Sequence, residues 1–184
     1  MTYKLPATIA LLVAASVGAS GCATMPDADA RDQFLTTLKS TCGQRFEGAT
    51  TYPMDPKHDF AGKRLVAHVA SCKDAEVRVP FLVGEDRSRT WVFTRTPGGL
   101  QLQHDHRHAD GTPDAQTMYG GMATAGGSAL RQTFAADAYT ARMIPAAATN
   151  AWTVTLAADG STVTYHLERD AKPRFTAVLK RVAP

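Results

Sequence analysis

The chain has 184 residues, of which 44% are hydrophobic, 20% charged and 8% aromatic, with 14 glycines, 10 prolines and 3 cysteines. These proportions exclude a chain that is disordered throughout, and the length suits one globular domain rather than two large ones. The formal net charge is +3 and the basic residues are scattered, so the composition predicts no nucleic-acid partner.

The first residues of the chain have the pattern of an export signal. Lys4 gives a positive amino terminus, and residues 7–19 form an uncharged, mostly apolar run of 13 residues. Because roughly 20 helical residues are needed to cross a bilayer, this run is too short for a transmembrane helix. It predicts a cleaved signal peptide at residues 1–21.

The end of this run resembles the lipobox of bacterial lipoproteins, in which a diacylglycerol is attached to a cysteine and the peptide is cut before it. The segment reads Ala19-Ser20-Gly21-Cys22. The resemblance implies lipidation of Cys22, a tether over residues 22–28, and the membrane as a partner through this anchor. Ala23 stands where Asp would favour the inner membrane, which implies the periplasmic face of the outer membrane. An ordinary secretory signal, with Cys22 as an unpaired thiol, is the alternative.

The two remaining cysteines, Cys42 and Cys72, would then lie in an oxidising compartment, where pairing is the default. Their pairing closes a loop of about 31 residues, which the chain-entropy estimate values at roughly 3.5–4 kcal/mol. The spacing is unlike the close cysteine pairs of zinc sites. We therefore predict a disulfide between them.

Apolar side chains recur at three- and four-residue spacing over residues 29–41, with acids at the start of this stretch and Lys39 near its end. This pattern is typical of an amphipathic helix of about three turns. The disulfide would tie the end of this helix to the strand that contains Cys72.

After Gly43, apolar and polar residues alternate in short runs separated by Gly, Pro and Asp, which is typical of antiparallel strands and tight turns. Nine strands are predicted, near residues 44–51, 63–72, 75–83, 89–96, 99–108, 115–120, 151–157, 161–168 and 174–182. The prediction is a mainly β domain over residues 29–184, an antiparallel meander barrel of 8–9 strands behind one α-helix, because closure removes exposed edges. A β-sandwich is the alternative.

The segment 120–148 is rich in Gly, Ala and Thr and has no clear period. Two interpretations stay open for it. It forms either a long flap or a short helix around residues 134–143 that covers a barrel mouth.

The densest cluster of imidazoles lies in one predicted strand, at His104, His106 and His108. Strand alternation places them on the same face as Leu100 and Leu102. The leucines would continue the core, and the histidines would line one end of the barrel.

Three interpretations fit these histidines. They fill a polar end of the barrel, they bind a small molecule or anion together with Tyr119, or His104 and His106 hold a divalent transition metal. A metal would need a ligand from another element, for which the candidates are His68, His166 and Asp110. The two glycines after Tyr119 indicate either a close approach to a ligand or a strand end.

Arg87 and Arg89 lie in a charged turn and are a second candidate anion site. A solvated hairpin is the favoured interpretation, with the following Trp91 and Phe93 alternating into the core. Trp152 and Tyr165, on two later alternating strands, are likewise interpreted as core residues.

The chain carries no Gly-x-Ser-x-Gly elbow, no His-Glu-x-x-His, no Walker loop and no dinucleotide fingerprint. This favours a binding protein over an enzyme. The functional hypothesis is an outer-membrane lipoprotein that binds a small molecule or ion in a His-lined barrel mouth. A structural accessory of the envelope without a ligand is the first alternative, and a metal-dependent enzyme is the second.

Several segments together resemble a group of small uncharacterised lipoproteins and secreted proteins of Gram-negative bacteria, over most of residues 34–182. They are Cys42-Gly43-Gln44-Arg45-Phe46-Glu47-Gly48, Val79-Pro80-Phe81 with Trp91-Val92-Phe93, the run from His104 to Asp114, and Met118-Tyr119-Gly120-Gly121. The resemblance implies no established activity and no catalytic residues. The Phe-x-Gly strand followed by a meander is also similar to lipocalin-type and calycin-like barrels, which implies ligand binding.

Overall fold

The computed structural model describes residues 1–2 and 29–183. Residues 3–28, which include Cys22, the expected tether and most of the expected signal peptide, lie outside the described residues. Within the described part of the chain, neither helix has the length and hydrophobicity required to span a membrane.

The described chain forms an N-terminal helix followed by eleven strands, with a short helix before the last three. The elements are α1 (Ala30–Lys39), β1 (Arg45–Tyr52), β2 (Leu65–His68), β3 (Ser71–Cys72), β4 (Glu76–Val83), β5 (Asp86–Thr96), β6 (Gly99–His106), β7 (Tyr119–Met122), β8 (Arg131–Ala135), α2 (Ala138–Met143), a 3₁₀ turn (Pro145–Ala147), β9 (Asn150–Leu156), β10 (Thr162–Arg169) and β11 (Lys172–Val182).

Every strand pairing is antiparallel, in the order β7-β6-β5-β4-β2-β1-β11-β10-β9-β8, with β3 added beside β4. A bridge between Ala123, just after β7, and Phe134 in β8 brings the two ends of the sheet together. The sheet is therefore a nearly closed barrel, and the mainly β antiparallel prediction is confirmed at this level.

The predicted number of 8–9 strands is wrong, because the described residues contain eleven. The run predicted as one strand near 63–72 is interrupted, since Val69 N donates to Gln44 O and Ala70 N donates to Arg78 O outside the ladders. It therefore becomes β2 and β3. The further strand is β8, in the segment that the sequence left open, where Gln132 and Phe134 alternate inward.

Two other predicted boundaries shift. The strand predicted near 99–108 ends at His106, and the one predicted near 115–120 begins only at Tyr119. The short helix considered around residues 134–143 is α2, which starts at Ala138 because Asp137 Oδ1 accepts from Thr140 N at 2.7 Å and caps it.

Helix α1 closes one end of the barrel. Its three apolar residues Phe34, Leu35 and Leu38 are at most 5% exposed and belong to the main core cluster. The helix begins after Asp29, whose side chain accepts from Arg31 N at 2.9 Å, and Asp32 pairs with Arg95 at the end of β5. The amphipathic spacing thus produces a helix whose apolar face packs into the barrel and fills the interior at this end.

The predicted disulfide is confirmed. Cys42, just after α1, is bonded to Cys72 in β3, with a Cα–Cα distance of 6.2 Å. The covalent link ties the helix to the same end of the barrel that the helix closes.

The two ends of the sheet meet at a seam formed by β7 and residues 133–137. A Cβ on Gly120 would lie 1.9 Å from Leu102 O, and one on Gly121 would lie 1.8 Å from Ala135 O, so neither position has room for a side chain. The buried Thr140 hydroxyl accepts from Gly120 N at 2.7 Å and donates to Gly120 O at 2.8 Å. A side chain of α2 therefore satisfies a backbone position that has no strand partner there.

Candidate functional site

The end of the barrel opposite α1 contains a cavity of about 280 Å³. Helix α1 lies where β5 ends and β6 begins, whereas the cavity is lined by the start of β5 and the end of β6. Residues 58–60 of the long β1–β2 loop border the opening on one side, and Ile144 and Ala147 border it on the other. The volume lies near the lower end of the roughly 300–1,000 Å³ range of small-molecule pockets.

The wall of this cavity is unusually aromatic, since half of the aromatic residues of the chain line it. They are Phe60, Phe81, Trp91, Tyr119, Trp152, Tyr165 and Phe175. Each strand contributes an inward-facing ring near the same end of the barrel because side chains alternate along strands. The alternation of the strands predicts Trp91, Trp152 and Tyr165 as core residues; they are buried as predicted, and they also line the cavity.

Several of these rings are parallel. Trp91 stacks on both Phe81 and Tyr165, with both centroid distances 4.6 Å and interplanar angles of 20° and 12°, and the Phe81 and Tyr165 centroids are 6.3 Å apart. On another wall His104 stacks on Tyr119 at 4.7 Å and 12°. Such offset and parallel contacts hold the rings in fixed orientations.

The alternation of β6 places His104 and His106 inward and Asp105 outward. Asp105 is 4% exposed on the outer face, where its carboxylate accepts from Arg107 Nε at 3.1 Å and from Arg78 Nη1 at 3.3 Å. These charge-assisted bonds hold the end of β6 in register. The two imidazoles are thereby fixed on the cavity side.

The tautomer of His104 follows from its partners. Its Nδ1 lies 3.1 Å from Tyr119 O, and a carbonyl oxygen can only accept, so Nδ1 carries the proton. Its Nε2 is then an acceptor and receives the hydroxyl of Tyr165 at 2.8 Å. Burial lowers the pKa of His104 to about 3, so the ring is neutral at neutral pH.

This arrangement leaves the phenolic oxygen of Tyr165 with unused lone pairs, because its proton is donated to His104. Burial also raises the pKa of Tyr165 well above its usual value, so the group stays protonated. Tyr165 therefore offers an acceptor, not a donor, to anything inside the cavity.

His106 lies nearer to the opening, with its Nε2 3.1 Å from the Tyr119 hydroxyl. Burial, and next the positive charge of Arg89, lower the pKa of His106, while nearby carboxylates oppose the shift. Burial raises the pKa of Tyr119 to about 12. The His106–Tyr119 pair is therefore neutral at neutral pH.

Two arginines border the cavity, and their charges are compensated differently. Arg89 pairs with Asp86, donates to Ser88 Oγ at 3.3 Å, and lies 5.3 Å above the Phe60 ring. Its charge therefore has an internal counter-ion and an aromatic contact.

Arg169 has a different environment. It ends β10 opposite Asn150 at the start of β9, and its Nε donates to Asn150 Oδ1 at 2.8 Å. No ion pair of Arg169 is found in residues 29–183. The amide group of Asn150, a residue only 5% exposed, fixes the guanidinium while leaving its terminal nitrogens for another partner.

The structure brings together His104, His106 and Tyr119 of the predicted binding residues, and it separates His108 from them. His108 follows the end of β6, is exposed, and borders a different surface cleft together with Arg87. The expectation that all three histidines share the inner face fails because the chain turns at Arg107, which bridges to Pro113.

The additional metal-ligand candidates do not line this cavity. His166 lies on the outer face between Thr176 and Glu168, Asp110 is exposed and accepts from Thr112, and His68 lies in β2 opposite Arg45. Among the residues that the structure describes, no three His, Cys, Asp or Glu side chains are grouped as a metal site.

Sequence reasoning missed His58, Phe60, Asn150, Arg169 and Phe175 as cavity residues. His58 and Phe60 come from a long loop without a period, and they reach the cavity by packing on Phe175 at 5.5 and 5.3 Å. For Asn150, Arg169 and Phe175 the sequence does contain a signal. Each lies near the end of its own strand that is at the same end of the barrel as His104 and His106. This signal becomes visible only when the strand order and register are known.

No family model, no curated protein and no solved structure was found to match this chain.

Proposed function

We propose that this chain is a periplasm-facing lipoprotein of the outer membrane, anchored through Cys22, that binds a small molecule in the aromatic cavity of a calycin-like barrel. The observation that carries the binding function is the cavity of about 280 Å³, lined by rigid rings and a few oriented polar groups. Binding pockets for small molecules combine an apolar, aromatic lining with a few convergent polar groups. A purely structural accessory would have no need for this combination inside its barrel.

The position of the helix supports the topology of this proposal. The chain enters the domain at Asp29, at the end of the barrel that α1 closes, and the cavity opens at the other end. A lipid on Cys22 would therefore hold the closed end towards the membrane and leave the opening towards the aqueous compartment. Intact-mass measurement of protein isolated from native membranes tests the anchor, and an unlipidated species would contradict it.

The binding function is tested by filling the cavity. Ala147 is 3% exposed and borders the cavity, whereas Ala146, in the same 3₁₀ turn, is exposed. Ala147→Leu should lower the affinity for indole by at least about tenfold because it occupies binding volume, and Ala146→Leu should leave the affinity unchanged.

The readout is direct because both tryptophans of the chain, Trp91 and Trp152, line the cavity. Their two indole N–H signals in proton–nitrogen correlation spectra should shift and saturate as indole is added to the ¹⁵N-labelled protein. A wild-type protein whose two signals stay fixed up to millimolar concentrations of one- and two-ring compounds would disprove the binding function.

A further inference from the structure

The cavity combines three features that together define a ligand chemistry: a wall of stacked aromatic rings, a hydrogen-bond acceptor whose proton is already donated, and a guanidinium that has no counter-ion among the described residues. The first two are given by the stack of Phe81, Trp91 and Tyr165 and by the Tyr165–His104 bond. The third is Arg169. Each feature excludes ligands that the other two would admit.

The walls select for flat molecules. The stacked rings of Phe81, Trp91 and Tyr165 form a rigid aromatic wall, and the partly exposed rings of Phe60 and Tyr119 line the cavity with them. At about 30 Å³ per water molecule, the cavity of about 280 Å³ has the volume of roughly nine waters. That volume suits a compound of one or two fused rings and excludes a long acyl chain or an oligosaccharide.

The charges select for a single negative group. Burial lowers the pKa of His104 and of His106, and it raises the pKa of Tyr119 and of Tyr165. All four side chains are therefore neutral at neutral pH. Arg89 is paired with Asp86. Asp59 is the acid that borders the opening, and it is exposed, so solvent screens its charge.

Arg169 is therefore the cation of the lining without a carboxylate partner among the described residues. Its Nε is held by Asn150, which orients the planar fork of the terminal nitrogens. The terminal nitrogens of this guanidinium can donate two parallel N–H bonds to a carboxylate or to a phosphate, so the number of charges decides between the two anions. One fixed guanidinium neutralises one negative charge.

We propose that the cavity binds a small planar aromatic carboxylate, with its ring among the aromatic side chains of the lining and its carboxylate on Arg169. This inference rests on the binding function proposed above and names its ligand class. A ring N–H or O–H of the ligand would donate to the phenolic oxygen of Tyr165, which has no proton to offer inside the cavity.

The test compares three probes with the same number of non-hydrogen atoms: benzoate, its neutral carboxamide, and cyclohexanecarboxylate. We expect the aromatic carboxylate to bind at least about tenfold more tightly than either of the other two, by calorimetry and by the two tryptophan signals. The carboxamide removes the charge, and cyclohexanecarboxylate removes the flat ring.

Arg169→Gln should abolish the preference for the carboxylate over the carboxamide while leaving the affinity for the carboxamide within about twofold. Arg169→Lys should keep part of the preference, because it retains the charge and loses the planar fork. Arg174→Gln is the matched control, since Arg174 is exposed in β11 directly before Phe175 and does not line the cavity. The correlation spectra report whether each variant is folded.

The outcomes separate the two proposals. Equal affinity for carboxylate and carboxamide, or a preference that survives Arg169→Gln, overturns the ligand class and leaves the binding function intact. Equal affinity for the aromatic and the cyclohexane acid overturns the role of the aromatic lining. Fixed tryptophan signals with all three probes overturn the ligand class, and fixed signals with indole as well overturn the binding function.

Discussion

The two ends of the barrel are built by the same strands but filled differently. At one end, the apolar face of α1 covers Leu100 and Leu102, and Phe34 is completely buried. At the other end, the same strand β6 presents His104 and His106, and Ile144 and Ala147 only border the interior, so a cavity remains. A single alternating strand can thus contribute to a packed core and to the lining of a cavity, and the covering element decides which one forms.

The largest expected effect is at the closed end. Phe34→Ala removes a fully buried ring from α1 and should lower the free energy of unfolding by about 3–5 kcal/mol. Chemical denaturation measures this loss, with Met54→Ala as the control because Met54 is 85% exposed. Indole binding by the folded fraction should persist. A variant that keeps full stability would show that α1 does not contribute to the core as described.

The disulfide at the closed end should have a slightly smaller effect. Cys42 and Cys72 are 30 residues apart, so replacing both by serine should lower the free energy of unfolding by about 3–4 kcal/mol through the entropy of the unfolded chain. Adding reductant to the wild type should lower its stability similarly and should not affect the double variant. A reductant effect that is equal in both proteins would contradict this assignment.

The open end should make the free energy of unfolding depend on pH, with a loss of about 2 kcal/mol between pH 7 and pH 5. Burial lowers the pKa of His104 to about 3 in the folded protein, whereas the pKa of a histidine in the unfolded chain is near 6.5. Below pH 6.5 the unfolded chain therefore binds a proton that the folded chain does not bind. Stability should therefore fall from pH 7 to pH 5 and continue to fall towards the folded pKa. The lowered pKa of His106 acts in the same direction.

Denaturation at a series of pH values checks this prediction. His104→Gln should flatten the slope between pH 7 and 5, and His108→Gln should leave it unchanged because that side chain is exposed. Asp86 contributes at more acidic pH. Burial raises the pKa of Asp86, but the hydrogen bonds from Ser88 and Arg89 together outweigh burial and lower the pKa to about 2. Parallel slopes for wild type and His104→Gln would contradict the burial of a neutral imidazole.

The contrast between the ends also explains what the sequence could predict. The helix and the inward histidines of β6 depend on local spacing, which is visible in one segment, and the disulfide was predicted because two cysteines remain for an oxidising compartment. The cavity depends on residues such as Asn150 and Arg169, which lie nineteen positions apart and meet through the β9–β10 register. His108 was misplaced because alternation gives a direction along a strand and does not show where that strand ends.

The strand count failed for a related reason. Periodicity does not show the break between β2 and β3, because it is made by hydrogen bonds from Val69 and Ala70 to Gln44 and Arg78. In residues 120–148 small side chains carry little period, and β8 is stabilised by its partner β9 more than by its own pattern. The sequence features of this segment therefore leave its pairing undetermined.

The barrel wall is expected to unfold locally most easily at the seam. Between β7 and residues 133–137 a few backbone bonds hold the sheet, among them Thr124 N to Thr133 O and Asp137 N to Gly120 O, whereas β10 and β11 pair along the whole length of β10. Amide hydrogen exchange should therefore be fastest along this line. Because Tyr119 begins β7 and stacks on His104, transient parting of the seam would widen the cavity from the side. The seam is thus the line along which the barrel wall is expected to open first.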